Sequence, residues 1–204
     1  MNGRLIVIDG PDGAGKTTQV ARLAAHLKER GVDVVVLREP GGTAVGEAIR
    51  DLLLHSDTDV TAKTEMLLYQ AARAQIVETK VRPALEMGRT VILDRYTYST
   101  VAYQGHGLGL DPEGIRATAE VATGGLEPDH VVFLDLTPEA GLGRISGPQD
   151  RIEGRPLDFH RRVREGFLAQ AQTLGAKATV VAADAPPADV AAAILGAISE
   201  AEGA

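Results

Sequence analysis

The chain has 204 residues, a formal net charge of −7 and no cysteine. The acidic balance argues against a surface that binds nucleic acid, which would be basic, and the lack of cysteine excludes disulfides, thiolate chemistry and cysteine-bound zinc. The five histidines are far apart in the sequence and predict no metal site. No signal peptide or membrane-spanning run is visible, so we expect no membrane partner and a cytoplasmic location. The length and the 44% of hydrophobic residues fit one globular domain over residues 1–204.

Short β-branched apolar runs alternate with helical patterns along the chain, which is typical of a parallel sheet covered on both faces. Strands are predicted at residues 4–9, 33–37, 90–94, 130–135 and 178–182. Helices are predicted at residues 18–30, 44–54, 64–87, 112–122, 158–174 and 188–200. Asp111-Pro112 and Thr137-Pro138 each place a capping oxygen before a helix-initiating proline. The predicted fold is α/β, a three-layer doubly wound sheet of five parallel strands.

The first strand and the first helix are joined by a phosphate-binding motif. Residues 10–17 read Gly-Pro-Asp-Gly-Ala-Gly-Lys-Thr, the G-x-x-x-x-G-K-[ST] pattern in its strand–loop–helix context. The backbone amides and the helix dipole favour an anion there, Lys16 adds a full charge, and the Thr17 hydroxyl can bind Mg²⁺. The motif predicts a nucleoside triphosphate site, and the alternative is a glycine-rich turn that caps an ordinary helix. The residues predicted to hold the nucleotide are Gly10, Pro11, Asp12, Gly13, Ala14, Gly15, Lys16, Thr17 and Thr18.

Ligands of doubly wound sheets bind at the carboxyl ends of the strands, so strand-end residues are candidates for the site. Asp9 and Asp94 each end an apolar strand. If the third strand lies beside the first, both carboxylates come near a metal ion that bridges the phosphates, and we predict them as metal ligands with Thr17. The alternative is that either aspartate caps the turn that follows it.

Phosphoryl transfer needs positive charge around the moving group, so arginines near the strand ends matter. Arg38 and Arg95 qualify by position, whereas Arg50 and Arg73 lie on predicted helices and either reach the cleft or form solvated faces. A second group of arginines flanks a Gly- and Pro-containing loop that suits a lid at about residues 145–157. That loop could equally be a surface loop charged for solubility. The second group comprises Arg144, Arg151 and Arg155.

Asp12 is unexpected inside a loop that binds phosphate, because its charge repels the ligand. It is tolerable if it faces a hydroxyl of a second substrate, and the alternative is that it faces water.

Six segments together closely resemble the thymidylate kinase family, in order and over nearly the whole chain. They are residues 8–18, 38–43, 69–73, 94–96, 102–105 and 150–153. The resemblance implies a nucleoside monophosphate kinase of the P-loop type that transfers the γ-phosphoryl group of ATP to dTMP. It also implies Mg²⁺ as the metal, a homodimer, and dTMP and ATP as the small-molecule partners.

For the acceptor side, the resemblance implies that Arg95 and Arg50 grip the dTMP phosphate while Arg38 lends charge. Tyr69 would stack on thymine and Arg73 would donate to a thymine carbonyl. Thr100 and Gln104 would contact other polar edges of the base, Tyr103 would lie under the sugar, and Asp12 would accept from the 3′-hydroxyl. Glu39-Pro40 would be a cis peptide.

For the donor side, the resemblance implies that Arg144 packs on adenine. The loop lacks an arginine, as in the bacterial form of the family that carries arginines in the lid, yet this lid is short. Arg151 is therefore predicted to meet the transferred phosphoryl group, with Arg155 as help. The predicted catalytic residues are Lys16, Arg95, Arg151 and Asp9. Two alternatives remain: a kinase for another nucleoside monophosphate, and a non-catalytic nucleotide-binding switch.

Overall fold

The computed structural model describes residues 3–55 and 58–203. Within them a parallel sheet of five strands forms the centre, in the order β2-β3-β1-β4-β5. The strands are β1 Leu5–Asp9, β2 Val34–Arg38, β3 Thr90–Asp94, β4 His130–Asp135 and β5 Ala178–Ala182. β1 lies beside β3, as predicted, with Ile8 opposite Asp94. The chain therefore brings the phosphate loop and the end of β3 to the same edge of the sheet.

Nine α-helices are described, and three of them begin at a residue whose side chain caps the helix. They are α1 Lys16–Glu29, α2 Ala44–Leu54, α3 Ala62–Ile76, α4 Arg82–Glu86, α5 Thr97–Thr100, α6 Pro112–Thr123, α7 Pro138–Arg144, α8 Leu157–Leu174 and α9 Pro187–Gly203. A π-helical turn, Val77–Val81, joins α3 to α4, and another, Val101–Gly107, continues α5. The Asp111 carboxylate accepts from Glu113 N and Gly114 N and so caps α6 as predicted. The prediction for Thr137 is wrong, because its side chain makes no capping hydrogen bond to α7.

The helices form a layer on each face of the sheet. Alternate residues of β1 point to opposite faces, so Leu5 and Val7 belong to one apolar core while Ile6 and Ile8 belong to the other. The first core is completed mainly by helices α2 to α5 and α8, and the second by α1 and α9. This confirms the three-layer architecture.

The predicted strands agree with the observed ones to within one residue at each end. The expectation that all five strands are buried on both faces is wrong for β2 and β5, because they are the edges of the sheet and expose Val36 and Val180. No predicted helix covers α7 or residues 97–107. The second segment is rich in β-branched, aromatic and glycine residues, so its helical form depends on packing against α8. A Cβ atom at Gly107 would collide with the Phe159 ring, which shows how close that packing is.

In the part of the chain that the structure describes, we find no helix long and apolar enough to cross a membrane.

Candidate active site

The phosphate loop leaves β1 at Asp9 and enters α1 at Lys16. Gly13 and Gly15 adopt φ angles of 72° and 85°, which glycine reaches without strain. The Lys16 ammonium folds over the loop and donates to the carbonyl oxygens of Gly10 at 3.0 Å and Pro11 at 2.7 Å. Burial, and then the charge of Arg95, lower the pKa of Lys16 to about 8. The loop therefore has the shape of an anion-binding site, with the Lys16 ammonium lying over it.

Helix α7 lies against this loop at glycine residues. A Cβ atom on Gly13 would overlap the Gly141 carbonyl, and one on Gly141 would overlap the Asp12 carbonyl oxygen. Arg144 lies one turn further along α7 and donates to Ala183 O at 2.9 Å, in the loop after β5. Arg144 is therefore held beside the phosphate loop, at the ends of the sheet's strands.

The three predicted metal ligands have different surroundings. The Thr17 hydroxyl donates to Asp94 Oδ2 at 3.1 Å, and both residues line the cleft. Asp9 is completely buried and accepts from Gly10 N at 2.9 Å, Ser99 Oγ at 2.7 Å and Tyr96 N at 3.2 Å. Both of its oxygens are occupied by protein donors, so the structure argues against Asp9 as a direct metal ligand or a catalytic group. Instead, Asp9 fixes the turn that carries Arg95.

Asp12, Arg95 and Tyr103 form one hydrogen-bonded group in the cleft. Arg95 Nη2 and the Tyr103 hydroxyl each donate to a different Asp12 oxygen, the latter at 2.7 Å, and the Arg95 guanidinium lies 5.2 Å from the centre of the Tyr103 ring. Burial alone would raise the pKa of Asp12, but the charges of Arg95 and Lys16 and the bond from Tyr103 outweigh it and lower that pKa. Asp12 therefore faces cationic and hydroxyl donors in the cleft rather than open water.

The phosphate loop opens into a cleft of about 360 Å³. The predicted residues that line it are Asp12, Gly13, Gly15, Lys16, Thr17, Thr18, Arg38, Arg50, Tyr69, Asp94, Arg95, Thr100, Tyr103 and Gln104. Within the described residues, the other predicted ones do not line this cleft: Asp9, Gly10, Pro11, Ala14, Arg73, Arg144 and Arg151. One cavity therefore joins the loop to nearly all of the predicted acceptor residues.

Arg38 and Arg50 meet this cleft from β2 and α2. Arg38 is half exposed and forms an ion pair with Glu47 at 2.9 Å, whereas Arg50 donates to the Pro40 carbonyl at 3.1 Å. The Glu39–Pro40 peptide bond is cis, as the resemblance implies. Both guanidinium groups therefore lie at the cleft, one paired with a solvent-exposed carboxylate and the other with a neutral carbonyl group.

Arg73 lies beneath the cleft and is almost completely buried. Its Nε donates to Glu39 at 2.7 Å, Nη1 donates to Gln70 at 2.6 Å and to Thr100 at 3.1 Å, and Nη2 donates to the Tyr96 carbonyl at 2.9 Å. Four of its five N–H donors are therefore committed to the protein. Burial raises the pKa of Glu39 to about 7, against the opposing charge of Arg73.

The chain matches the family model for thymidylate kinase over residues 8–194. The chain belongs to the thymidylate kinase family. It is 50% identical to a thymidylate kinase of Caldanaerobacter subterraneus subsp. tengcongensis over 82% of this chain and 81% of the relative. It is 46% identical to one from Deinococcus radiodurans over 97% of both chains, and 49% identical to one from Synechococcus sp. strain JA-3-3Ab over 93% and 92%.

The lid predicted for this member of the thymidylate kinase family joins α7 to α8. Arg151 Nη2 donates to Glu65 Oε2 at 2.6 Å and its Nε donates to the Leu53 carbonyl at 2.8 Å, while Arg155 reaches the same Glu65 oxygen at 2.7 Å. The prediction that Arg151 meets the transferred phosphoryl group does not match this arrangement. Buried acceptors hold its guanidinium away from the cleft, and the lid residues that line the cleft are Asp150, Ile152 and Glu153.

Three residues important to this thymidylate kinase site were not among the predicted site residues. Ser99 bridges Asp9 and Arg95, and Glu39 and Glu65 are buried carboxylates that pair with arginines. Glu39 lies inside a family motif, which is a usable signal. Glu65 and Ser99 have no such signal, because a single Glu in a predicted helix is usually on a solvated face and Ser99 lies where no helix is predicted.

Proposed function

We propose that the cleft binds ATP and dTMP end to end and that the chain transfers the γ-phosphoryl group between them. The protein is an ATP-dependent dTMP kinase, and its products are dTDP and ADP. The single observation that carries the proposal is that Lys16 and the guanidinium groups of Arg38, Arg50 and Arg95 line one cavity. Two polyanions repel each other, and this convergence of cations offsets the repulsion.

On the donor side, the triphosphate would occupy the phosphate loop. Lys16 would exchange its two bonds to loop carbonyls for bonds to phosphate oxygens, which are charged and therefore stronger acceptors. Arg144, held beside the loop, would pack on the adenine base. The acceptor is itself a phosphate oxygen anion, so the reaction needs in-line positioning rather than a general base.

On the acceptor side, Arg95 and Arg50 would hold the phosphate of dTMP, with Arg38 adding charge at the rim. Tyr69 would stack on the base, for which a flat aromatic face is suited. Tyr103 lies against Arg95 and donates a hydrogen bond to Asp12. Tyr103 and Asp12 would therefore contact the deoxyribose next to that phosphate.

The base itself would be contacted by polar groups at the inner end of the cleft. Thr100 and Gln104 line this end and are almost fully buried. Arg73 donates to Thr100 from beneath the cleft. Its fifth N–H donor is not used in the four hydrogen bonds to Glu39, Gln70, Thr100 and Tyr96, and it would donate to a thymine carbonyl oxygen.

Thr17 and Asp94 fit a Mg²⁺ ion. Their side-chain oxygens lie 3.1 Å apart at the mouth of the phosphate loop, and hydroxyl and carboxylate oxygens are ligands that Mg²⁺ prefers. When bound, the ion supplies positive charge to the phosphates of ATP.

We also propose a homodimer and a cytoplasmic location, in line with the family resemblance. Val45 and Leu52 are two turns apart on α2, so they share one face, and both are exposed. Leu67 on the neighbouring α3 is exposed as well. Exposed apolar side chains on adjacent helices support a contact with a second copy.

The test is a coupled assay of ADP release across dTMP, dUMP, CMP, GMP and AMP. We expect dTMP to be the best acceptor and ADP release to require it. Faster turnover of another monophosphate would refute the substrate assignment. ADP release that is the same with and without any acceptor, or no turnover at all, would instead favour a nucleotide-binding switch.

A further inference from the structure

We propose that Glu65 is a positioning residue that fixes the lid to the acceptor wall of the cleft. The acceptor wall is the part of the cleft lined by Thr100 and Gln104, and the lid is the segment 145–157. The inference rests on the proposed function, because Gln104 is assigned to the base of dTMP there. It also gives Arg151 and Arg155 a different task from contact with the transferred phosphoryl group.

Glu65 lies on α3 and its side chain has no solvent exposure. One carboxylate oxygen, Oε1, accepts from Gln104 Nε2 at 2.8 Å. The other, Oε2, accepts from Arg151 at 2.6 Å and from Arg155 at 2.7 Å. A single carboxylate therefore joins a residue of the acceptor wall to two residues of the lid.

The negative charge of Glu65 balances the positive charges of Arg151 and Arg155 in this cluster. Two guanidinium groups converge on one negative charge, and both are mostly buried. Arg155 lies over the Phe159 ring at 4.7 Å, and its Nη1 is buried with no hydrogen-bond partner among the residues that the structure describes. Without the charge on Glu65, two cations would stay in a poorly solvated place with no ion-pair partner among the described residues, and the lid would be displaced.

The cluster sets the position of the lid residues that face the cleft. Asp150 Oδ1 accepts from Ile152 N at 2.8 Å and from Glu153 N at 2.9 Å, so residues 150–153 form a closed turn. Arg151 lies within this turn, and Arg155 follows it by two residues. A shift of the arginines would therefore move the whole turn, which lines the cleft.

The same carboxylate also orients the Gln104 amide. Because Nε2 is held by Glu65, the amide oxygen is the acceptor that Gln104 can offer to an N–H group of a bound base. Position of the lid and recognition of the base are thus coupled through one side chain.

The test compares Glu65→Gln with Glu139→Gln. Glutamine keeps the shape of the side chain and removes its charge. Glu139 also pairs with an arginine, at 2.7 Å from Arg161, but on the surface, so it is the matched control. For Glu65→Gln we expect the KM for dTMP to rise about tenfold or more and trypsin to cleave faster after Arg151, while Glu139→Gln keeps wild-type values.

Arg151→Met separates positioning from direct catalysis. If Arg151 acts through Glu65, the double variant Glu65→Gln/Arg151→Met is no worse than either single variant. If Arg151 acts directly on the phosphoryl group, Arg151→Met lowers kcat in the Glu65→Gln background as well as in the wild type, which would overturn the proposal.

Other outcomes are equally decisive. A lower Tm with unchanged kcat, KM and lid cleavage would make Glu65 a purely structural residue and refute the inference. If Glu65→Gln does not fold, Glu65→Asp keeps the charge but shortens the side chain, and an unchanged KM for dTMP in that variant would refute the inference too. Failure of the wild-type chain to phosphorylate dTMP would refute the proposed function instead.

Discussion

Replacement of Arg73 by methionine tests the buried ion pair beneath the cleft. Methionine keeps an unbranched apolar side chain but removes the partner of Glu39, whose carboxylate is almost completely buried. An uncompensated buried charge costs about 3–5 kcal/mol. For a chain of this length we expect Tm to fall by about 6–20 °C, at about 2–4 °C per kcal/mol. The loss should exceed that of an exposed pair such as Arg161 with Glu139, worth about 0–1 kcal/mol.

The loss should also depend on pH. The folded-state pKa of Glu39 is raised from 4.5 to about 7, so the folded state binds the proton more tightly than the unfolded state between those values. Stability therefore falls as pH rises through that window. Arg73 opposes this shift, so without it the pKa of Glu39 rises further. We expect Arg73→Met to go on losing stability above about pH 7, where the loss in the wild type levels off.

Thermal unfolding across this pH range measures the effect, and the double variant Glu39→Gln/Arg73→Met is the control. With no charge left to bury, the double variant should regain stability and lose the added pH dependence. Steady-state kinetics should show a higher KM for dTMP and an unchanged KM for ATP in Arg73→Met. If the single variant is as stable as the wild type at pH 8, the reasoning about the buried pair is wrong.

Three further variants address the cleft itself. Lys16→Ala should lower kcat by about 10²-fold or more with an intact fold, and the wild-type KM for ATP should rise above about pH 8 as Lys16 loses its proton; a flat pH profile would contradict this. Tyr103→Phe removes the bond to Asp12 and should lower kcat/KM for dTMP about tenfold; selective loss of ATP affinity would contradict it. Asp94→Asn should raise the Mg²⁺ concentration needed for half-maximal rate, and EDTA should stop turnover; an unchanged Mg²⁺ requirement in the variant would contradict the metal assignment.

The strands and the phosphate loop could be predicted because their signals are local. Buried parallel strands read as continuous apolar runs, and the loop needs glycine and lysine at fixed spacing. Proximity of Asp94 to the loop required only that β3 lie beside β1. The segment 97–107 could not be predicted in this way, since its helical form depends on α8, which begins fifty residues after the segment ends.

The roles of the arginines were harder to predict because sequence does not reveal their partners. Arg151 lies in the segment expected to form a lid, yet Glu65, far away in the sequence, holds its guanidinium. The sequence left two positions for the Arg73 side chain, in the cleft or on a solvated face, and the structure places it instead in the core beneath the cleft. In both cases a buried carboxylate decided the outcome.

That difference in partners separates two groups among the cations near the cleft. Lys16 and Arg50 donate to neutral carbonyl groups, and Arg38 pairs with an exposed carboxylate. Exchange of such partners for a phosphate costs little, because carbonyls and solvated carboxylates leave no buried charge behind. These side chains are therefore free to bind a substrate.

Arg73, Arg151 and Arg155 belong to the second group. Their partners are the buried carboxylates of Glu39 and Glu65, so to bind phosphate they would have to leave a negative charge unpaired in the protein interior. At about 3–5 kcal/mol for a broken buried pair, that exchange is unfavourable unless the carboxylate takes up a proton. The exposure and charge of the partner therefore separate the arginines that can readily bind phosphate from those that cannot. Arg95 falls between the two groups, because its partner Asp12 is charged and mostly buried but lies in the cleft.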